Sequence, residues 1–177
     1  IFERHVANQL HSYFEKTDIL HTYQSGFRKN HSCQTSLIAL TDKWLKQMDN
    51  GKLIGTIFID LKKAFDMVDH KILIEKLKIY HFDKLTISWF ISYLENRNQT
   101  VKVGNTVSSV GILKYGVPQG SILGPLLFLL YINDLPMIIK HTEMDIYADD
   151  STLHTADKHT SIIEKNLQKD LISIQTW

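Results

Sequence analysis

Near the end of the chain the stretch DIYADD, residues 145–150, sets Asp149 and Asp150 side by side behind a short apolar run. Two unit charges about 4 Å apart at an effective dielectric near 20 repel by roughly 4 kcal/mol. A turn alone accounts for the residue types, because Asp side chains bond nearby backbone and YADDSTLH reads as a hairpin with the pair at its tip. Chemistry accounts for the repulsion if another carboxylate converges there. Asp60 is the candidate, since it ends a nearly unbroken apolar run that begins at Leu53, and a shared sheet would set the three carboxylates side by side. Three carboxylates with no cationic side chain among them either keep protons or bind divalent cations. Two Mg²⁺ ions about 3.5 to 4 Å apart would activate an attacking oxygen and stabilise a leaving phosphate, and the second aspartate then completes a two-metal cage.

A second stretch, VPQGSILGP, has the parts of a nucleotide-contacting loop. Gly116 and Gly120 let the backbone approach a ligand, Pro118 stiffens the loop, and Gln119 offers amide donors and an acceptor. By itself such a stretch is more often just a connection into a helix, whose first turn accommodates Pro125.

The elements that must position these groups are legible from the pattern. A first amphipathic helix carries Phe2, Val6, Leu10, Tyr13 and Phe14, and a second runs through Leu37, Leu40, Trp44 and Met48 to a stop at Asn50-Gly51. The apolar run ending at Asp60 predicts a strand covered on both faces. Helices follow Asp69, with Leu73, Leu77 and Tyr80 on one face, and Asp83, with Ile87, Phe90, Ile91 and Leu94. TVKVGNTVSSV alternates around Gly104-Asn105 and predicts a hairpin. An apolar helix then ends near Asn133–Pro136, the Asp149-Asp150 hairpin comes next, and Ser161 with Glu164 predicts a capping box opening a last helix through Ile163, Leu167, Leu171 and Ile174. Together these predict an α+β domain with helices on one face of the sheet.

Composition narrows the classes. The 177 residues suit one domain with a real core, and 44% hydrophobic content points to a globular protein. The single cysteine, Cys33, excludes an internal disulfide and favours a reducing, intracellular setting, nucleus or cytoplasm. Nine scattered histidines in no ligand spacing speak against zinc. A net charge of +1 does not advertise a nucleic-acid partner, so any such site must be local. The run from Ile122 to Ile132 is about half the roughly 20 residues of a membrane span and reads as a buried helix. The chain opens at Ile1 inside an amphipathic pattern and stops at Trp177 without a closing cap, which predicts a fragment.

FIDLKKAFDMVDH, GVPQGSILGPLLFLLYINDLP and YADD, in that order and preceded by QSGFRKNHSCQTSL, resemble the palm of a reverse transcriptase, specifically that of the non-LTR (LINE-type) retrotransposons. The resemblance covers nearly the whole chain. It implies a polymerase right-hand palm, an antiparallel sheet backed by helices, with part of the fingers. The expectation is one partial reverse transcriptase domain over residues 1–177, the N-terminal fingers segment and C-terminal thumb lying outside it. The implied activity is RNA-directed DNA polymerisation, the transfer of deoxynucleotides from their triphosphates to a DNA primer on an RNA template, with two Mg²⁺ ions and Mn²⁺ as a substitute. Asp60, Asp149 and Asp150 match the family's metal-binding aspartates, with the Leu61 carbonyl as an extra ligand. Phe65 falls where an aromatic ring lies beneath the sugar of the incoming nucleotide and excludes a 2′-hydroxyl. Gln119 and Gly120 match the loop that touches nucleotide and template, Tyr147 the residue supporting the primer end, and Arg28 a contact to phosphate or template backbone. The competing expectation is a catalytically inactive, truncated relic or co-opted nucleic-acid-binding fragment. A metal-dependent phosphohydrolase is a third, distinguished by activity without template.

Overall fold

The computed structural model describes residues 1–177. In chain order the helices are α1 (Phe2–Thr17), α2 (Cys33–Asp49), α3 (His70–Ile79), α4 (Lys84–Leu94), α5 (Leu123–Ile132) and α6 (Thr160–Thr176), with a 3₁₀ turn at Leu135–Ile138. The strands are β1 (Leu53–Asp60), β2 (Asn98–Gln99), β3 (Lys102–Val103), β4 (Thr106–Val107), β5 (Gly111–Ile112), β6 (Glu143–Tyr147) and β7 (Asp150–Asp157). The backbone falls into two compact units, one of residues Ile1–Ser12 with Lys63–Tyr131, the other of Tyr13–Lys62 with Ile132–Trp177.

In the first unit, Asp69 and Asp83 cap α3 and α4 by accepting the free backbone amides of each first turn. Leu73 and Leu77 of α3 and Ile87, Phe90 and Leu94 of α4 are buried, as the helical spacing predicts. The predicted hairpin forms around Gly104-Asn105 as two short antiparallel ladders, β3 with β4 and β2 with β5. At the start of α5 the Ser121 hydroxyl accepts from the Gly124 amide, and the Glu3 carboxylate accepts from the Ile122 amide. A carboxylate suits that position, because the amides at a helix start carry partial positive charge.

The second unit is built on a three-stranded antiparallel sheet, ordered β1-β7-β6. Its register pairs Leu53 with Asp157 at one end of β1 and Asp60 with Asp150 at the other, while Tyr147 of β6 lies opposite Asp150. Helices approach both faces, not one. On one face Gly55 lies against Ile163 and Leu167 of α6. On the other, Lys43 of α2 forms an ion pair with Asp145, and the Trp44 ring meets the His154 ring edge-on. The predicted two-sided cover of β1 is therefore partial: α2 closes the end of that face near His154, whereas Phe58 remains 75% exposed. No helix is long and apolar enough to cross a membrane.

The capping box predicted at Ser161 and Glu164 does not form. The helix starts at Thr160, and His159 caps it without a side-chain bond. The reason is tertiary: β7 runs to Asp157, whose carboxylate turns the chain by accepting the His159 amide, and Ile163 and Leu167 must reach the Gly55 face.

Asp170 ties α6 to the segment entering β6. Its carboxylate, 1% exposed, accepts from the Lys140 and His141 amides and the Thr142 hydroxyl. Burial raises its pKa, but the bonds from His141, Thr142 and Lys140 outweigh that and hold the carboxyl below its ordinary value. A depressed carboxylate gives stability that is fully present above the unfolded value, about 3.9, and is lost as the pH falls through the folded value. Asp170→Ala should therefore cost about 3 kcal/mol in urea unfolding at neutral pH, with the gap to the parent narrowing below about pH 4.

Candidate active site

The turn between β6 and β7 consists of two residues, Ala148 and Asp149. Ala148 has φ 58°, in the left-handed region that tight hairpins need and that L side chains disfavour. The turn brings Asp150 to the first position of β7, directly across from Asp60 at the last position of β1. Directly opposed residues on antiparallel strands have Cβ atoms about 4.5–5.5 Å apart. Of the convergence that the sequence predicts, sheet register builds the pairing of Asp60 with Asp150, whereas Asp149 is held in the turn rather than in the row.

The remaining strand carboxylates show what is unusual here. Glu143 faces Lys43, Asp145 is bound by Lys43 at 2.9 Å and His154 at 2.8 Å, and Asp157 accepts the His159 amide. Asp60 and Asp150, like Asp149, have no ion pair or side-chain hydrogen bond. For Asp145, burial raises the pKa, but the hydrogen bonds from His154 and Lys43 prevail and leave it lowered. Because an ionised carboxylate only accepts, His154 presents Nε2–H to it.

Beside the aspartate row a cleft of about 360 Å³ opens, lined by Leu37 and Leu40 of α2 and by Phe58, Asp60, Tyr147 and Asp150 of the sheet. Exposed carboxylate oxygens at the mouth of such a cleft, with no basic group tied to them, are the hard donors that a partly hydrated Mg²⁺ takes. That donor chemistry fits the cation, although the protein side chains do not gather three acidic, His or Cys groups into a ready-made cage.

Three further predicted residues fall in this unit. Tyr147 is half-buried opposite Asp150. Arg28 donates from Nη1 to the carbonyls of His21, at 3.2 Å, and Gln24, at 3.0 Å, so it braces its own loop. Leu61 follows β1 directly.

Phe65, Gln119 and Gly120 belong to the first unit, where the structure brings their segments together. The Val117 amide donates to the Phe65 carbonyl at 2.9 Å, the Gly116 amide donates to the Val68 carbonyl at 2.8 Å, and Gln119 Nε2 donates to Asp66 at 3.0 Å. The Phe65 ring is half-buried, 4.5 Å from that of Phe128. Gln119 and Gly120 are exposed, and Gly120 has φ 74°.

Sequence reasoning missed Gln24, a polar residue in a loop that is 1% exposed and bonded to the Asp149-Asp150 turn. It also missed the set Lys43, Asp145 and His154, whose signal was only a lone carboxylate within the quoted DIYADD.

These features define a chain with Asp60 and Asp150 paired at one end of an antiparallel sheet and Asp149 beside them in a two-residue turn. The family model described as "Reverse transcriptase (RNA-dependent DNA polymerase)" matches residues 1–177, and the chain belongs to that family. It is 34% identical over 184 residues to "Probable RNA-directed DNA polymerase from transposon BS" of Drosophila melanogaster, covering 100% of this chain and 20% of that protein. It is similarly 33% identical over 184 residues to "RNA-directed DNA polymerase from mobile element jockey" of the same organism, and 31% identical over 186 residues to the protein of that name in Drosophila funebris. Each alignment covers 100% of this chain and 20% of the relative, so the chain spans about a fifth of their length. The likeness to non-LTR retrotransposon polymerases extends over the full chain.

Proposed function

We propose that this chain carries the catalytic centre of an RNA-directed DNA polymerase of a non-LTR retrotransposon, built on a right-hand palm with part of the fingers. The observation that carries the reading is the direct pairing of Asp60 with Asp150, unpartnered, at the mouth of a cleft in a member of the reverse transcriptase family. In this reading the primer 3′-hydroxyl attacks the α-phosphate of a deoxynucleoside triphosphate paired to the RNA template, forming one phosphodiester bond and releasing pyrophosphate. Asp60, Asp149 and Asp150, with the Leu61 carbonyl, would hold two divalent cations. Bound Mg²⁺ would supply activation of the hydroxyl and charge neutralisation on the leaving pyrophosphate.

The other residues orient substrates. Tyr147, on the strand beside Asp150, supports the primer end. Arg28 has guanidinium donors beyond the Nη1 bonds to its loop, and these serve phosphate or template backbone. Phe65, Gln119 and Gly120 contact the nucleotide, with the amide of Gln119 oriented by Asp66. Phe65 discriminates against the 2′-hydroxyl by bulk, so Phe65→Ala should raise ribonucleotide relative to deoxynucleotide incorporation by about tenfold or more. Unchanged sugar preference would assign Phe65 to packing against Phe128 alone.

The test of the whole reading is primer extension by the purified chain on a defined RNA template with Mg²⁺ and single deoxynucleotides. Extension that follows the template base supports a polymerase. Its absence favours a truncated relic, and phosphate release without template would point to a phosphohydrolase.

A further inference from the structure

A buried amide side chain must have its donors and acceptor satisfied, and the groups that satisfy it show what it holds. The loop before α2 runs beside β6, where the Ile146 amide donates to the Tyr23 carbonyl at 2.9 Å and the Ser25 amide donates to the Ile146 carbonyl at 2.8 Å. This places the Gln24 side chain against the hairpin turn. Its Oε1 accepts from the Gly26 amide at 2.7 Å and the Ala148 amide at 3.1 Å, and its Nε2 donates to the Ala148 carbonyl at 3.4 Å.

Both main-chain polar groups of Ala148 are therefore engaged by one side chain, and Ala148 is the left-handed residue immediately before Asp149 and Asp150. We propose that Gln24 is a positioning residue that clamps the Ala148 peptide and thereby fixes the direction of the two following carboxylates. Its relevance to catalysis rests on the polymerase reading above. Residue size and chemistry both matter. Asn is one methylene too short for the span, Met fills the volume without an acceptor, and Glu keeps an acceptor for both amides while losing the donor to the Ala148 carbonyl.

Amide hydrogen exchange of the full chain, read by NMR, together with Mn²⁺ titration, tests the clamp without requiring turnover. In Gln24→Met the Ala148 amide should exchange about tenfold faster or more, while the amides of Met144 and Leu153 keep their protection. Gln24→Glu should keep Ala148 better protected than Gln24→Met does, because the acceptor remains although its second carboxylate oxygen now opposes the Ala148 carbonyl. Mn²⁺ affinity should fall about tenfold in Gln24→Met, the scale of losing an outer-shell partner of a metal ligand. If the polymerase reading holds, the Mg²⁺ concentration for half-maximal extension rises by a similar factor while the nucleotide KM stays unchanged.

Unaltered exchange at Ala148 in Gln24→Met would overturn the clamp. So would an equal loss of protection at Ala148, Met144 and Leu153, which would make Gln24 a general brace. Faster exchange at Ala148 with unchanged Mn²⁺ affinity would overturn its control of the carboxylates. Failure of the unsubstituted chain to bind Mn²⁺ would instead remove the cation reading of the aspartates, and the exchange data would still decide whether Gln24 clamps the turn.

Discussion

Asp150→Asn is expected to lower template-directed extension by about a thousandfold or more and to leave the fold unchanged or slightly more stable. The loss follows from removing one of two facing carboxylates that would carry the cations, on a reaction whose catalysis is mainly charge stabilisation. The gain follows from the same geometry. Asp60 and Asp150 are direct cross-strand neighbours without a basic partner, and like charges opposed in this way destabilise a sheet by about 0.2–1 kcal/mol. Relieving 1 kcal/mol would raise the melting temperature by about 2–4 °C in a chain of this size. Asp145→Asn is the contrast, because Asp145 is bound by Lys43 and His154, and its loss should destabilise. Extension assays and thermal melts on both variants separate the roles. An active Asp150→Asn protein would remove Asp150 from the cation site, and a strongly destabilised one would mean that the carboxylate has a structural task.

Gly26→Ala should act on the same turn from behind. A methyl group at position 26 would lie 2.2 Å from the Ala148 nitrogen and 2.8 Å from its Cα. Both are backbone atoms, so no side-chain rotation can relieve the clash; the turn or the loop at residue 26 that packs on it must move. The expected result is a destabilisation of about 1–3 kcal/mol and an extension rate lower by about a hundredfold, since small displacements of reacting groups cost that much. Gly104→Ala provides the control: its φ of 59° strains an alanine, but no other atoms lie within 4 Å of the added Cβ. It should lose modest stability and keep its activity. Full activity in Gly26→Ala would show that the loop at residue 26 yields without displacing the carboxylates, or that they tolerate movement of their turn.

These expectations draw on different layers of information. Asp69 and Asp83 were readable as helix boundaries because each signal and its answering amide lie within a few residues. The stop at Asn50-Gly51, the turn at Gly104-Asn105 and the buried run of α5 were legible for the same local reason. The motifs carried more, since their order alone identified the family that the comparison over residues 1–177 bears out.

The sequence alone determined most of the helices and hairpins and the family, and it singled out the three aspartates as candidates. The tertiary structure decided where those groups point. It set the register that opposes Asp60 to Asp150, left Phe58 open where α2 covers only part of a sheet face, started α6 at Thr160 against a local capping signal, and buried Gln24 behind Ala148. The physical reason is range. Caps and turns are satisfied by neighbours along the chain, whereas a strand register, a covered face or a buried amide is satisfied by groups as far apart in sequence as Gln24 and Ala148, which meet only when the sheet has formed.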